Sequence, residues 1–221
     1  TQPPAAAQSG VAFTQRPSVD VRDAALNPTP GYVVTATIAS GGGTLVGTST
    51  AVVGANGVAT FSNLGVSGLV GPRTLRFAVQ GEAASATSGQ VALSAGPVAV
   101  LLITTQPSSS AANDQPLPQQ PTVQAKDGAG NPVGGVGIDA AMQSGSGTLS
   151  GNLTAPTDGT GVAAFTDLTI TGVMGSKTLR FSSGGISVTS SAVSLLPGDP
   201  TAVAITTQPP ALVMDGLTFQ Q

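Results

Sequence analysis

The chain repeats itself. Thr1-Gln2-Pro3-Pro4 returns as Thr105-Gln106-Pro107-Ser108 and again as Thr207-Gln208-Pro209-Pro210. A tandem repeat constrains the fold before any local signal does, because each copy must build the same unit. Turn residues recur: Asp23 and Asn27-Pro28 match Asp127 and Asn131-Pro132, and Gly41, Gly43 and Gly47 match Gly145, Gly147 and Gly151. Apolar positions recur with them, Phe61 and Leu64 as Phe165 and Leu168, and Thr74-Leu75-Arg76-Phe77 as Thr178-Leu179-Arg180-Phe181. The expected organisation is residues 1–97 as one repeat without its leading strand, 98–199 as a second, and 200–221 as the leading strand of an incomplete third. Each repeat is long enough to bury a modest core of its own.

The apolar period is two. Val19 and Val21 alternate with Asp20 and Arg22, and Leu75 and Phe77 share one face while Thr74 and Arg76 take the other, as in half-buried strands. Strands are predicted near 10–15, 17–23, 31–39, 44–53, 57–64, 72–80, 86–94 and 97–104, with counterparts in the second copy until a two-residue deletion late in it. Between them lie Asn27-Pro28, Gly41-Gly42-Gly43, Asn56-Gly57, Asp158-Gly159 and Gly184-Gly185. These residues supply positive φ, fixed φ or a side chain that bonds its own backbone. Such spacing leaves no useful length for a helix. The fold is expected to be all-β, a tandem of antiparallel β-sandwiches arranged end to end.

Composition narrows the function. There is no His, Cys or Trp, one Tyr, and 8% charged residues with a net charge of -3. Without a basic stripe the chain has no footprint for nucleic acid or for an anionic membrane surface, and no apolar run approaches the ~20 residues of a membrane helix. Without Cys there is neither a disulfide framework nor a thiolate metal site. The usual base for a Ser or Thr nucleophile is missing with His. Lys126 and Lys177, standing where the first copy has Arg22 and Arg73, read as surface cations. No catalytic residue and no cofactor is expected. Gly41-x-Gly43-x-x-x-Gly47 imitates a dinucleotide fingerprint, but a strand follows rather than a helix. Gly175-Ser176-Lys177-Thr178 lacks the upstream Gly of a phosphate loop and reads as a turn into a strand.

Carboxylates are thinly spread. Calcium wants six to eight oxygens, and Asp20 with Asp23, or Asp127 alone, offer one or two per turn. The simpler role is an Asp that fixes its own turn through backbone hydrogen bonds. Asp114 and Asp199, near the ends of the second repeat, are the remaining calcium candidates. Asn152-Leu153-Thr154 is a formal glycosylation sequon of the kind chance supplies in a Thr-rich chain.

Four stretches carry a family likeness: Ile103-Thr104-Thr105-Gln106-Pro107, Lys126-Asp127-Gly128-Ala129-Gly130-Asn131-Pro132, Ser144-Gly145-Ser146-Gly147-Thr148-Leu149, and Thr157-Asp158-Gly159-Thr160-Gly161-Val162-Ala163-Ala164-Phe165. In them the chain resembles the bacterial immunoglobulin-like repeats of large surface proteins, the invasin and intimin-like group. The resemblance covers essentially the whole chain. The first repeat departs from it, with Ala24, Ala25 and Leu26 in one motif and Gly54, Ala55 and Asn56 in another. It implies immunoglobulin-like sandwiches and an extracellular or cell-surface location on a bacterium.

The expected function is structural, a stalk or fibre segment whose partners are neighbouring repeats and like subunits, side by side or head to tail. The alternative is an adhesin-type module that recognises a glycan or protein through sandwich loops. The β-rich joint 97–104 predicts limited bending. The chain begins and stops within a repeat, which suggests a window on a longer array. A second reading pairs the C-terminal segment of one subunit with the exposed edge of the next, with Val203, Ile205, Leu212, Leu217 and Phe219 as the assembly-strand candidates.

Overall fold

The computed structural model describes residues 1–208; Leu212, Leu217 and Phe219 lie outside the described residues. Every regular element among the described residues is a strand. The two repeats build the same large sheet. In the first its order is Ala6–Gln8, Val91–Ser94, Gly71–Val79, Val33–Ser40 and Thr50–Val52, with Ser85–Thr87 also pairing onto Gly71–Val79. In the second the order is Ser110–Ala112, Val193–Leu196, Gly175–Ser183, Gly137–Ser144 and Thr154–Pro156, with Ile186–Thr189 on Gly175–Ser183. One pair in each repeat departs from the antiparallel expectation: Ala6–Gln8 runs parallel to Val91–Ser94, and Ser110–Ala112 parallel to Val193–Leu196.

Alternation places the core. Along Gly71–Val79 the side chains of Arg73, Leu75, Phe77 and Val79 are buried, and along Gly175–Ser183 those of Lys177, Leu179 and Phe181 are. Opposite the large sheet, Phe61 meets Phe77 with ring centroids 5.1 Å apart, and Phe165 meets Phe181 at 5.2 Å. Tilted pairs of this kind add about 0.5–1.5 kcal/mol to the burial of the rings themselves. One cluster of buried residues runs from Phe13 to Leu93 and another from Leu101 to Leu195. The described residues therefore build two hydrophobic cores.

Arg73 and Lys177 correct the sequence expectation. Arg22 is exposed and Lys126 half-buried, whereas Arg73 and Lys177 keep only 5% and 3% of their surface. The period-two pattern that puts Leu75 and Phe77 inward puts residue 73 inward as well, at the end of the sheet. Its guanidinium donates to the carbonyls of Pro72 and Leu69.

The strand expected over 44–53 is two strands. Thr44–Val46 pairs with Gly65–Ser67, and Thr50–Val52 pairs with Val33–Ser40 in the large sheet. The chain changes sheets at Gly47, whose φ is +77° and whose absent Cβ would meet the carbonyl oxygen of Asn63 at 1.9 Å. That close approach accounts for the third glycine of the fingerprint-like motif.

The smaller sheets differ between repeats. In the second, Val100–Thr105, Thr122–Lys126 and Val162–Ala164 form three strands. In the first, Ser18–Asp20 pairs with Val58–Thr60 alone. Val100–Thr105 also packs beside Ile186–Thr189, places Leu101 in the core and covers Val123 and Ala125 completely. Their counterparts Val19 and Val21 are only half-buried.

Candidate functional site

The most elaborate polar constellation lies where the two repeats meet, and it grows from one turn. Asp127 follows the Thr122–Lys126 strand and closes a tight loop in which its own N–H donates to the Asn131 carbonyl at 2.9 Å and its carbonyl accepts from Gly130 at 3.1 Å. The carboxylate then gathers the loop's donors. Oδ1 accepts the backbone N–H groups of Ala129 (2.9 Å) and Asn131 (2.8 Å), and Oδ2 accepts Nδ2 of Asn131 at 2.8 Å. This is the expected role of an Asp that fixes its own turn.

The structure adds a contact that sequence reasoning missed. Oδ2 also accepts the N–H of Gly96 at 2.8 Å, on the segment that leaves the first repeat. Four N–H donors thus saturate a carboxylate that is only 3% exposed. Burial by itself would raise the Asp127 pKa; hydrogen bonds from Asn131, Gly96 and Ala129 outweigh it and hold the group below its ordinary value.

Asn131 carries the turn into the first repeat. Its Oδ1 accepts the N–H of Val70 at 2.9 Å and its Nδ2 donates to the carbonyl of Gly68 at 2.9 Å, a bidentate reading of one backbone stretch by one amide. That stretch is pinned from behind. Oγ of Ser9 donates to the Gly68 carbonyl at 3.0 Å and accepts the Gly68 N–H at 3.1 Å, while Arg73 holds the Leu69 carbonyl. Gly96 fits because it has no side chain: a Cβ there would meet the Ser9 carbonyl oxygen at 2.1 Å. Beyond it the N–H of Ala99 donates to the Lys126 carbonyl, and the pairing of Val100–Thr105 begins. The expected stiff joint is therefore held by side-chain amide and carboxylate contacts as well as by strand.

Both halves of this joint occur a second time. The Asp23 turn has the same internal bonds, from Ala25 (2.9 Å), from the Asn27 N–H (2.8 Å) and from Asn27 Nδ2 (3.0 Å), but Asp23 and Asn27 are exposed. The loop of the second repeat that corresponds to 68–70 is tied by the Gly172 N–H to Oδ1 of Asn113 at 2.8 Å, and its Val173 and Met174 are 72% and 61% exposed.

The calcium candidates Asp114 and Asp199 are both exposed. Asp114 has φ +62° and accepts the Thr171 hydroxyl at 3.1 Å; Asp199 lies near the end of the second repeat. Among the described residues no three acidic side chains converge. Of the assembly-strand candidates that are described, Val203 is 96% and Ile205 67% exposed. The signal for the joint was the recurrence of Asp and Asn at fixed spacing. The backbone groups they reach carry no sequence signature.

No protein-family model matches the chain, and no curated protein matches it. Among solved structures it is similar to the D0-D1 domain of intimin, at 18% identity over 86% of this chain and 94% of that one, with a TM-score of 0.32. It is similar to invasin, a bacterial integrin-binding protein, at 20% identity over 88% of this chain and 38% of that one, with a TM-score of 0.37. It is also similar to the S-layer protein rSbsC(31-844), at 19% identity over 78% of this chain and 21% of that one, again at 0.37. The chain spans well under half the length of the last two. At these scores the architecture rests on the chain's own sheets and cores.

Proposed function

We propose that the chain is a spacer segment of a bacterial surface protein, with residues 1–97 and 98–199 as consecutive immunoglobulin-like modules that hold another part of the protein away from the cell. The observation that carries this reading is the buried latch of Asp127 and Asn131 on Gly68, Val70 and Gly96. A tether that only needed reach would join its modules by a solvated Gly/Ser segment. Here the orientation of one module on the next is fixed by directional hydrogen bonds, and each module's core resists extension on its own. The extracellular location rests on the resemblance carried by the four quoted stretches.

Small-angle X-ray scattering tests it. One fixed arrangement of the two repeats should account for the scattering of the native chain, and Asn131→Ala should broaden the distance distribution. Native scattering that requires a wide range of inter-repeat angles overturns the spacer reading.

The binding-module reading has one observation in its favour. Tyr32, 42% exposed, lines a concavity of about 220 Å³ with Arg22, Asp23 and Glu82. Specific glycan-array hits abolished by Tyr32→Ala would select that reading instead.

A further inference from the structure

Arg73 is a buried cation without a counter-charge. Its Nε has no hydrogen-bond partner, and among the described residues the only ion pair is Arg22 with Asp20. A buried charge with no carboxylate weighs against the core that holds it, and exchange for an apolar side chain of similar volume is often neutral or stabilising. The bonds that Arg73 does make lead out of the core. Nη1 donates to the carbonyl of Pro72 at 2.9 Å and Nη2 to that of Leu69, so one planar fork ties the first residues of the Gly71–Val79 strand to the loop before it. That loop is the stretch whose Gly68 carbonyl and Val70 N–H are bound by Asn131 of the second repeat.

The surroundings of the guanidinium are cut to admit it. A Cβ on Gly41, whose φ is +91°, would stand 2.5 Å from Cδ of Arg73 and 2.9 Å from Nη1, and the bare Cα atoms of Gly68 and Gly71 face Nη2 and Nη1. The second repeat keeps the arrangement with another cation: a Cβ on Gly145 would stand 2.5 Å from Cδ of the buried Lys177. The first glycine of the fingerprint-like motif is thus the seat of a buried cation in both repeats. The side chains of the loop itself take no part in the joint. Leu69 and Val70 are 66% and 56% exposed with the second repeat in place, and Asn131 takes backbone groups alone. What the second repeat reads is a backbone shape, fixed from behind by Arg73 at Leu69 and by Ser9 at Gly68.

We propose that Arg73 is a positioning residue for the joint. Seated on Gly41, it holds Gly68 to Val70 in the form that Asn131 binds, and its contribution is to the fit of one repeat on the next rather than to its own core. Because the recognised feature is a shape, the side chains at 69 and 70 are free to change. The inference rests on the latch of the spacer reading and names the residue behind it.

Amide hydrogen exchange on the whole chain, with X-ray scattering beside it, tests the assignment. In Arg73→Met, which keeps a long stem and removes the fork, the Val70 N–H should exchange about tenfold faster, the protection of about one hydrogen bond, and the distance distribution should broaden. The Leu75 N–H, which donates to Oγ of Ser88 inside the first core at 2.9 Å, should exchange no faster than in the native chain. Arg73→Lys, which installs the cation that the second repeat seats at this place, should restore part of the Val70 protection. Leu69→Ser with Val70→Ser should leave the scattering native. In an Asn131→Ala chain, where the latch is already open, adding Arg73→Met should broaden nothing further.

Unchanged Val70 protection in Arg73→Met overturns the proposal, as does additive broadening in the double variant or a joint loosened by the serine changes. Exchange at Leu75 that rises with that at Val70, or failure of Arg73→Met to fold, makes Arg73 a core residue and overturns it equally. The spacer reading fails on a different result, native scattering that spans a wide range of angles; a fixed native joint indifferent to Arg73→Met defeats this inference alone.

Discussion

The Asp127 and Asp23 turns are the same local structure in two settings. Each Asp collects two backbone N–H groups and one Asn amide, and each loop closes with the same pair of backbone bonds. Asp127 and Asn131 are both 3% exposed, while Asp23 and Asn27 face solvent. The bonds within the turn are thus a property of the sequence. The bonds that leave it, from Gly96 to Asp127 and between Asn131 and the 68–70 backbone, belong to the joint.

Removing the carboxylate should break the equivalence most. Asp127→Ala leaves the Gly96 N–H buried without an acceptor and dismantles the turn, at about 2–4 kcal/mol. Asp23→Ala, whose lost donors can turn to water, should cost a small fraction of that; urea unfolding of the two variants measures the contrast. Equal losses would mean that Gly96 gains nothing from its partner. Asn131→Ala should cost about 1–2 kcal/mol and make the two repeats unfold less cooperatively in calorimetry, with Asn27→Ala leaving the unfolding profile close to native.

A smaller effect is expected at the turn's tip. Leu26 takes φ +66° where the second repeat has Gly130 at +88°. A left-handed Leu costs roughly 1–2 kcal/mol, of which the greater freedom of unfolded Gly returns part. Leu26→Gly should raise stability by about 0.5–1 kcal/mol, with Gly130→Leu lowering it, both read by chemical denaturation.

Acid should separate the turns most gently. Asp23, Asp127 and Asp158 all sit below the ordinary aspartate value of 3.8. For Asp23 and Asp158 hydrogen bonding is the leading cause, through Asn27 and through Val162 and Thr160 respectively. A carboxyl whose pKa is lowered by folding contributes fully above its unfolded value and loses that contribution as the pH falls through its folded one. The joint should therefore hold above pH 3.8 and loosen below it. The Gly96 amide resonance should titrate with Asp127, and in Asp127→Asn it should lose that dependence.

Much of the architecture was legible beforehand. Period-two burial of Leu75, Phe77, Leu179 and Phe181, the recurring Phe61 and Phe165, and the Gly, Asn and Pro turns gave an all-β chain with the observed core face. The same parity, followed to the end of its strand, would also have put Arg73 and Lys177 inside. The exchange of Arg73 for Lys177 between the repeats signals a surface cation, but a long stem can bury its carbons at a sheet end, and two guanidinium nitrogens of Arg73 find carbonyls there. The split at Gly47 was hidden because both halves have strand composition and the change of sheet is made by a contact with Asn63.

The joint marks the limit. The repeat, the strand period, the core positions and the Asp-Asn turns are written along the chain, because they depend on residues near one another in sequence or on alternation within one strand. That Asn131 reads Gly68 and Val70, and that Asp127 holds Gly96, emerges with the packing of one repeat on the other. Those contacts are made to backbone groups, which every residue carries alike, so no pattern of side chains along the chain can announce them.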